Sequence, residues 1–481
     1  MLEINTTLTN RIFEYFSKIC SIPHGSGNMT KISEYLINFA MRHDLEYYTD
    51  DADNVIIYKQ ASYGNEEKQP IILQGHLDMV CQKDSNSNVD FNRDAIDMYI
   101  DGDFIKAKGT SLGADNGIAV AMILSILEDK ELSHPPIEAV FTTDEEIGMV
   151  GAGKLNTSVL KGRQLINLDA EEDDTVTVSC AGGSDFKATF PIKHSEMKGE
   201  RILLTVDGLK GGHSGVQING RLNSSIILGR ILAHISSLTE FGIISLNGGD
   251  KGNAITNCTS AELCVKDFDE FSNILLEYIN VLTNELVLRE PDINIFFKSL
   301  SNNLCETNMV FDDKNQEDII FALSCVPYGV IEMSVAIKDL VETSINLGIL
   351  QTNESEVFMH FTLRSNKNSS LKALEEKMKI MFSKTDAKID AFGYYPPWEY
   401  NEESKLRKLY LDAYKSICNS YPKIEAIHAG LECGVFASKI DNLDCIAIGP
   451  QIYDVHTAKE KLSISSTEKI YCVLIKLLES L

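Results

Sequence analysis

Short apolar segments that end in a carboxylate or a histidine constrain the fold of this chain more than any other feature. The segments PIILQGHLDMV (70–80), PIEAVFTTDEEIG (136–148) and GRQLINLDAEE (162–172) read as strands, because apolar runs are bounded by turn residues. A long apolar helix, NGIAVAMILSILED (116–129), lies between the first two. Strands that alternate with helices predict an α/β fold with a mainly parallel central sheet.

The 481 residues are too many for one ordinary domain. Near residue 186 the pattern changes to alternating strands, such as RILLTVDGL (201–209), that are separated by long helical stretches. Helix–strand units return near the end of the chain. We therefore expect an inserted α+β lid domain within the α/β catalytic domain. The expected boundaries are 1–185 for the first catalytic segment, 186–395 for the lid and 396–481 for the second catalytic segment.

Charge and cysteine content exclude several classes of partner. The chain has 44 basic and 70 acidic residues, a net charge of −26, which argues against nucleic-acid or anionic-membrane binding. No apolar run approaches the length of a membrane span, and the N-terminus lacks the features of a signal peptide. The 11 cysteines are scattered without a CxxC motif, which predicts reduced thiols in a cytoplasmic protein.

Side chains of metal-ligand type recur just past the predicted strands. The carboxyl ends of parallel strands meet at one edge of a sheet, so residues that are distant in sequence can converge there. Any one of these residues alone is more simply a cap or loop residue, and N-capping of the 116–129 helix would explain the aspartate before it. Together, two histidines and three carboxylates suit zinc or a similar metal. The candidates are His76, Asp115, one of Glu145 and Glu146, Asp169 and His456.

Several motifs also resemble those of the di-zinc peptidase family of aminoacylases, carboxypeptidases and dipeptidases. The resemblance runs in order along essentially the whole chain, and it is strongest to the aminoacyl-histidine dipeptidase branch. The motifs are GHLDMV (75–80), GADNG (113–117), TTDEEIGMVGA (142–152), NLDAEE (167–172), GGHSG (211–215), HAGLECG (428–434) and VHTAKEKLSI (455–464).

The resemblance implies a role for each candidate ligand. It implies that Asp115 bridges two zinc ions, that His76 and Asp169 complete the ligands of one ion, and that Glu146 and His456 complete those of the other. It also implies a cis peptide bond between Asp115 and the residue that follows it.

The resemblance further implies that Glu145 is the general base and acid, and that Asp78 orients the His76 ring. The chemistry agrees, since two residues that are two positions apart at a strand end share a face. A water held between two metals loses its proton more easily, and Glu145 can take that proton. Consecutive residues point in different directions, so Glu145 and Glu146 are not equivalent. Asp144 is interpreted as a turn residue.

Residues of the predicted lid domain are candidates for substrate binding. By resemblance, His213 in the GGHSG turn donates a hydrogen bond to the oxyanion. Asn253 and Arg364 are predicted to bind the C-terminal carboxylate of the substrate, although an ordinary surface ion pair would also explain the arginine. Gly430 in HAGLECG is predicted to let the backbone approach the substrate. Glu432 and Cys433 of the same motif have no assigned role.

The favoured interpretation is a zinc metallopeptidase that hydrolyses Xaa-His and related dipeptides. It would hold two zinc ions per subunit, with manganese or cobalt as substitutes, and act on small peptides as a monomer or a homodimer. One alternative is a broader tripeptidase or N-acyl-amino-acid deacylase on the same metals. Another is a catalytically inactive peptide-binding relative. A serine hydrolase is disfavoured, because the chain has no G-x-S-x-G motif in the required context.

Overall fold

The computed structural model describes residues 10–300 and 306–481, which form two compact units. The first unit contains the described residues up to Cys180, together with Tyr400–Ala426 and Leu431–Leu481. The second unit contains Ala181–Glu399 and Ile427–Gly430. The three segments expected from the sequence, 1–185, 186–395 and 396–481, stay a prediction.

The strands are numbered in chain order. The first eight are β1 (Glu46–Thr49), β2 (Val55–Lys59), β3 (Ile71–His76), β4 (Met98–Asp101), β5 (Phe104–Ala107), β6 (Ile137–Thr142), β7 (Gln164–Asn167) and β8 (Thr175–Cys180). The next twelve, in the second unit, are β9 (Gly182–Pro191), β10 (His194–Asp207), β11 (Gly212–His213), β12 (Phe241–Gly248), β13 (Ala254–Ile255), β14 (Thr259–Val265), β15 (Asn294–Ser299), β16 (Glu306–Phe311), β17 (Gly329–Met333), β18 (Val341–Thr352), β19 (Glu356–Ser365) and β20 (Lys388–Tyr395). The last four are β21 (Lys423–Ile427), β22 (Asp444–Ala447), β23 (Ile452–Tyr453) and β24 (Lys461–Ser463).

The helices are numbered in the same way. They are α1 (Asn10–Cys20), α2 (Thr30–Arg42), α3 (Ala114–Glu128), α4 (Val150–Lys154), α5 (Ser224–Ser236), α6 (Phe268–Leu286), α7 (Asp313–Cys325), α8 (Asn368–Phe382), α9 (Lys405–Cys418), α10 (Glu432–Lys439) and α11 (Ile464–Ser480), with a short 3₁₀ turn at Thr157–Val159.

The first unit is built on an eight-stranded sheet in the order β1-β2-β6-β3-β7-β22-β8-β21. The four central strands, β6, β3, β7 and β22, are parallel, and the pairs β1–β2, β2–β6 and β22–β8 are antiparallel. Every residue of β3 and β6 is buried, as expected for strands that are covered on both faces. The predicted α/β fold is confirmed, and its parallel part is the centre of a mixed sheet.

The second unit is built on a ten-stranded sheet, in which all the described pairings are antiparallel. Its main path runs β15-β10-β14-β12-β18-β19-β9-β20, with β16 beside β10 and β17 beside β18. Helices α5 to α8 contribute apolar residues to one buried cluster with the sheet, including Leu228, Phe271, Leu323 and Met378. This is the α+β architecture that the sequence predicts.

Local sequence signals explain where several helices begin. The side chain of Asn223 caps α5, and Asp267 caps α6 by accepting the backbone N–H of Glu270. Ser404 and Ser463 cap α9 and α11 in the same way. Polar residues before apolar helical runs thus fix these boundaries.

Two further observations bear on the expectations from composition. Among the described residues the ten cysteines are free thiols, and Cys305 lies outside the described residues. None of the helices in residues 10–300 and 306–481 is both long and apolar enough to cross a membrane.

Candidate metal centre and substrate-binding residues

Five side chains of metal-ligand type meet at the carboxyl end of the parallel strands of the first unit. His76 is the last residue of β3, Glu146 follows β6, and Asp169 follows β7. Asp115 lies at the start of α3, and His456 lies in the loop between β23 and β24. One ligand atom from each of His76, Asp115 and Glu146 lies within 4.8 Å of the others. The structure brings together all five candidates.

The carboxylate of Asp115 lies between two histidine–carboxylate pairs. Its Oδ1 is 3.1 Å from His76 Nε2, which is 3.3 Å from Asp169 Oδ1. Its Oδ2 is 3.0 Å from His456 Nε2, which is 3.0 Å from Glu146 Oε1. Each oxygen of Asp115 therefore faces a different pair, which is the arrangement that a bridging ligand requires.

The contacts of Asp115 argue against the simpler explanation of this residue as a helix cap, because both of its carboxylate oxygens face histidine nitrogens. The residue before α3 is Gly113, which has no side chain with which to cap the helix. Asp115 itself has non-helical dihedral angles, and its peptide bond to Asn116 is cis, as the resemblance implies.

The electrostatics of the cluster indicate a strongly negative field. Close contacts with the carboxylates of Asp115 and Glu146 raise the pKa of His456 to about 11. Burial lowers the pKa of His76, but the charge of Asp169 and contacts with Asp115 outweigh burial and raise the pKa well above its usual range. Burial raises the pKa of Asp169 to about 7. Positive charge is thus strongly favoured at this position.

The donor set fits a pair of divalent metal ions. Imidazole nitrogens and carboxylate oxygens are ligands of zinc. Oε1 of Glu146 is buried and has no hydrogen-bond partner among the described residues, although His456 Nε2 lies 3.0 Å from it. Nitrogen and oxygen atoms this close, without hydrogen-bond geometry, are suited to sharing a cation.

Asp78 holds both the His76 ring and the turn that carries the two glutamates. Nδ1 of His76 lies 3.0 Å from the backbone carbonyl of Asp78 and 3.5 Å from its Oδ1. The same carboxylate accepts the N–H of Glu145 at 2.9 Å and that of Glu146 at 3.2 Å. It also accepts the hydroxyl of Ser26 at 2.8 Å. The sequence did not indicate the contacts to the glutamate turn.

Glu145 and Glu146 occupy different environments. Oε1 of Glu146 lies 3.0 Å from His456 Nε2, whereas Glu145 forms no ion pair with a described residue. Burial, with the negative charges of Asp169 and Glu432 adding to it, raises the pKa of Glu145 well above its usual range. The carboxyl group of Glu145 is therefore ready to hold a proton beside the ligand cluster.

Asp144 has a structural role that the sequence left open. Its backbone lies in the left-handed region with φ of 52°, and its Oδ1 accepts the N–H of Gly27 at 2.6 Å. Asp144 thus ties the loop after α1 to the turn that precedes Glu145.

His213 in the second unit has a defined tautomer. Its Nδ1 accepts the backbone N–H groups of Gly215 and Val216, both at 3.3 Å. The ring proton of neutral His213 therefore lies on Nε2, which is free to donate. Burial and the charge of Arg364 lower the pKa of His213, which favours this neutral form.

The loop that carries His213 is closed at its base by one buried carboxylate. Glu290 has no exposed surface. Its Oε2 accepts the N–H of Lys210 at 3.0 Å, and its Oε1 accepts that of Leu222 at 3.4 Å. Both ends of the loop are therefore held by one side chain.

Arg364 is a buried cation that no described residue pairs with as an anion. Its side chain is on β19, the residue is 7% exposed, and it forms no ion pair with a described residue. Nη1 donates to the hydroxyl of Tyr395 at 2.8 Å, and Nε has no hydrogen-bond partner among the described residues. This environment is not that of an ordinary surface ion pair, and it leaves the guanidinium available to a carboxylate.

A second buried histidine accompanies Arg364. Burial, together with the charge of Arg364, lowers the pKa of His428 to about 3, so its ring is neutral. The ring nitrogens of His428 lie 2.7 Å from the hydroxyl of Ser344 and 3.2 Å from Oδ1 of Asn366. Neither Ser344 nor Asn366 carries a sequence signal that would have identified it.

The two remaining substrate-binding candidates also lie in the second unit. The backbone carbonyl of Asn253 accepts the N–H of Ser214 at 2.9 Å, and β11 pairs with β13 next to it. Asn253 is therefore adjacent to His213, and its side chain is exposed. Gly430 is half-buried in the short segment Ile427–Gly430.

Glu432 and Cys433 are buried residues at the start of α10 in the first unit. Glu432 is buried and accepts the hydroxyl of Thr142 at 2.7 Å and the amide of Gln74. Burial, with the Cys445 thiol adding to it, raises the pKa of the Cys433 thiol, which argues against a nucleophilic cysteine.

Comparisons with known proteins agree with this geometry. The profile of Peptidase family M20/M25/M40 matches residues 72–480. The chain is 35% identical to the cytosol non-specific dipeptidase of Escherichia coli (strain K12) over 100% of this chain and 99% of that relative.

Solved structures show the same similarity. The aminoacylhistidine dipeptidase from Vibrio alginolyticus has 36% sequence identity and a TM-score of 0.93, and the match covers 100% of this chain and 98% of that one. An M20 family metallo-carboxypeptidase from Sulfolobus solfataricus, at 16% identity and a TM-score of 0.55, shares the fold over 98% of this chain and 99% of that one. The predicted family and enzyme class are confirmed: the chain belongs to peptidase family M20/M25/M40, and it is a hydrolase of the metallopeptidase class.

Proposed function

We propose that this chain is a cytoplasmic dipeptidase with two zinc ions per subunit, which hydrolyses Xaa-His and related dipeptides. The observation that carries the proposal is that the two oxygens of Asp115 face separate histidine–carboxylate pairs. The dipeptidase names of two full-length relatives, at 35% and 36% identity, support the substrate class.

In this proposal Asp115 would be shared between the two ions. His76 and Asp169 would hold one of them, and Glu146 and His456 would hold the other. Bound zinc supplies Lewis-acid polarisation of the scissile carbonyl and acidifies water in its ligand shell.

Glu145 moves the proton. Its carboxylate takes a proton from the attacking water and returns it to the nitrogen of the leaving amine. The hydrogen bond from the Glu145 backbone N–H to Asp78 fixes the turn that carries this carboxylate. Asp78 is therefore a positioning residue for both His76 and Glu145.

The residues that would bind the substrate are those predicted from the sequence. His213 donates from Nε2 to the oxygen of the tetrahedral intermediate, as its tautomer allows. Arg364 binds the C-terminal carboxylate of the dipeptide through two N–H groups, with Asn253 beside it. The backbone at Gly430 lies along the substrate. A dipeptide presents its carboxylate one residue beyond the scissile bond, so this contact selects for length.

The test is hydrolysis of a substrate panel by zinc-free, zinc-loaded, manganese-loaded and cobalt-loaded protein. We expect the metal-loaded forms to cleave Gly-His, Ala-His and Ala-Ala faster than the tripeptide Ala-Ala-His, N-acetyl-alanine or Ala-His amide. Faster cleavage of the tripeptide or the N-acetyl amino acid would favour one of the broader alternatives. No hydrolysis of any dipeptide with any of these metals would refute the proposal.

A further inference from the structure

Glu460 is a buried carboxylate whose partners are all backbone groups of one short segment. The residue is 3% exposed and lies in the loop before β24. Its Oε2 accepts the N–H of Leu112 at 2.7 Å and that of Gly113 at 3.1 Å. Its Oε1 accepts the N–H of Ala114 at 2.8 Å and that of Asp115 at 3.3 Å. Four consecutive backbone donors thus converge on one side chain.

These donors need an acceptor because of how α3 begins. The N-cap residue Gly113 has φ of 72° and no side chain, so the helix has no local capping group. Glu460 provides the missing acceptor from a segment more than 340 residues away in the sequence. The carboxylate therefore determines where the backbone of Asp115 lies.

The same side chain belongs to the loop that carries His456. His456 Nε2 lies 3.0 Å from Asp115 Oδ2, and His456 has a left-handed backbone with φ of 60°. Glu460 is thus the link between the backbone that carries the bridging carboxylate and the loop that carries the facing histidine.

We propose that Glu460 is a positioning residue for the metal centre, which sets the separation of Asp115 and His456 by holding the 112–115 backbone. This inference rests on the proposed function, since it assumes that these two residues bind metal. Both carboxylate oxygens of Glu460 accept backbone N–H groups, so its role is to position the ligands rather than to bind metal or substrate.

The most informative change is Glu460→Gln, which keeps size and shape. An amide has one acceptor oxygen, and its NH₂ group faces backbone donors that it cannot satisfy. The 112–115 backbone then loses its common anchor. Residues that support metal ligands typically change metal affinity about 10- to 100-fold when they are replaced, and we expect a loss of this size for at least one zinc ion.

Glu138 offers a matched control. It is 4% exposed, lies near the start of β6 in the same unit, and accepts the backbone N–H groups of Lys161 and Gly162. Its chemistry resembles that of Glu460, but the ligands cluster at the other end of the strand, which is about 13 Å away at about 3.3 Å per residue. Glu138→Gln should reduce stability without changing zinc affinity.

The experiment measures zinc bound per chain in a chelator-buffered zinc series, for the wild type and both variants. Urea unfolding of the zinc-free proteins and kcat at saturating zinc are measured in parallel. We expect weaker zinc binding only in Glu460→Gln, with kcat largely restored by excess zinc.

Equal zinc affinity in the wild type and Glu460→Gln would overturn the inference, and so would an equal loss in Glu460→Gln and Glu138→Gln. Absence of zinc binding in the wild type would instead overturn the proposed function, and this inference with it. If Glu460→Gln gives no folded protein, Glu460→Asp decides by the same criteria, because it keeps the charge but is too short to reach all four donors.

Discussion

The replacement Arg364→Met separates a binding role of this residue from a structural one. Arg364 is buried, lacks an ion-pair partner among the described residues, and keeps an unbonded Nε. An unpaired buried ion costs several kcal/mol. Such a group is explained if its partner is the carboxylate of a substrate.

The expected loss of activity follows from two charge-assisted hydrogen bonds. At about 1.5–3 kcal/mol each, their removal lowers kcat/KM on a free dipeptide by about 10²- to 10⁴-fold. The same variant should lose about tenfold or less on the dipeptide amide, which has no carboxylate to pair with the guanidinium. Kinetics on Ala-His and Ala-His amide measure this difference.

The Arg364→Met variant should lose activity without losing stability. Methionine keeps the apolar stem and removes the unpaired charge, while the bond to Tyr395 is lost. Relief of an unpaired ion should equal or exceed the loss of one hydrogen bond, so Arg364→Met should be as stable as the wild type or up to about 2 kcal/mol more stable.

Arg407 is the matched control for this stability prediction. It is 6% exposed and donates to the carbonyls of Asn401 at 2.7 Å and Glu402 at 2.6 Å. Arg407→Met should destabilise by about 2–4 kcal/mol, because two hydrogen bonds of the charged guanidinium are lost, and it should not change the ratio of acid to amide rates. If urea unfolding shows Arg364→Met to be destabilised as much as Arg407→Met, or if acid and amide rates fall equally, the assignment is wrong.

Three further predictions concern single positions. Glu145→Gln should retain zinc by metal analysis while kcat falls about 10²- to 10⁴-fold, whereas Glu146→Ala should lose a zinc ion, and the reverse pattern would show that the pair is assigned backwards. Asp144→Ala should be about 1 kcal/mol less stable than Asp144→Gly in urea unfolding, because glycine adopts the φ of 52° without strain; equal stability would contradict this account of the turn. The folded-state pKa of His428 is about 3, and its ordinary value is about 6.5, so below pH 6.5 only the unfolded chain takes up this proton and stability falls as the pH falls toward 3. His428→Asn should therefore reduce the slope of the free energy of unfolding against pH by about 1.4 kcal/mol per pH unit between these two pKa values. Urea unfolding at several pH values measures this slope, and equal slopes for the wild type and the variant would refute the lowered pKa of His428.

The sequence predicted the parts of the fold that have a local pattern. The apolar helix predicted at 116–129 is α3 at Ala114–Glu128, and the strand before the two glutamates is β6. The ligand candidates could be found because each follows an element with its own signal, and parallel strands deliver such residues to one edge of the sheet. The ligand pairing required the family resemblance in addition.

Contacts between side chains and distant backbone groups left no trace in the sequence. Asp78 accepts N–H groups of residues 67 and 68 positions away, and the register of β3 against β6, in which His76 pairs with Thr142, brings them together. The contacts of Glu460 leave no trace for the same reason, because its partners are backbone N–H groups and these do not depend on which residue carries them. The burial of Arg364 beside Tyr395 likewise depends on the packing of β19 and β20 against β9.

The double attachment of Glu290 has a consequence for how this enzyme can be altered. Because Lys210 and Leu222 are both held by one buried carboxylate, the ends of the His213 loop stay together whatever lies between them. The entropy of closing a loop grows slowly, by about 0.6 kcal/mol for each doubling of its length. Insertions at the exposed residues 219 and 220 should therefore be tolerated, so this loop is a place where the chain can diversify in length, by evolution or by design, at little cost to the rest of the fold.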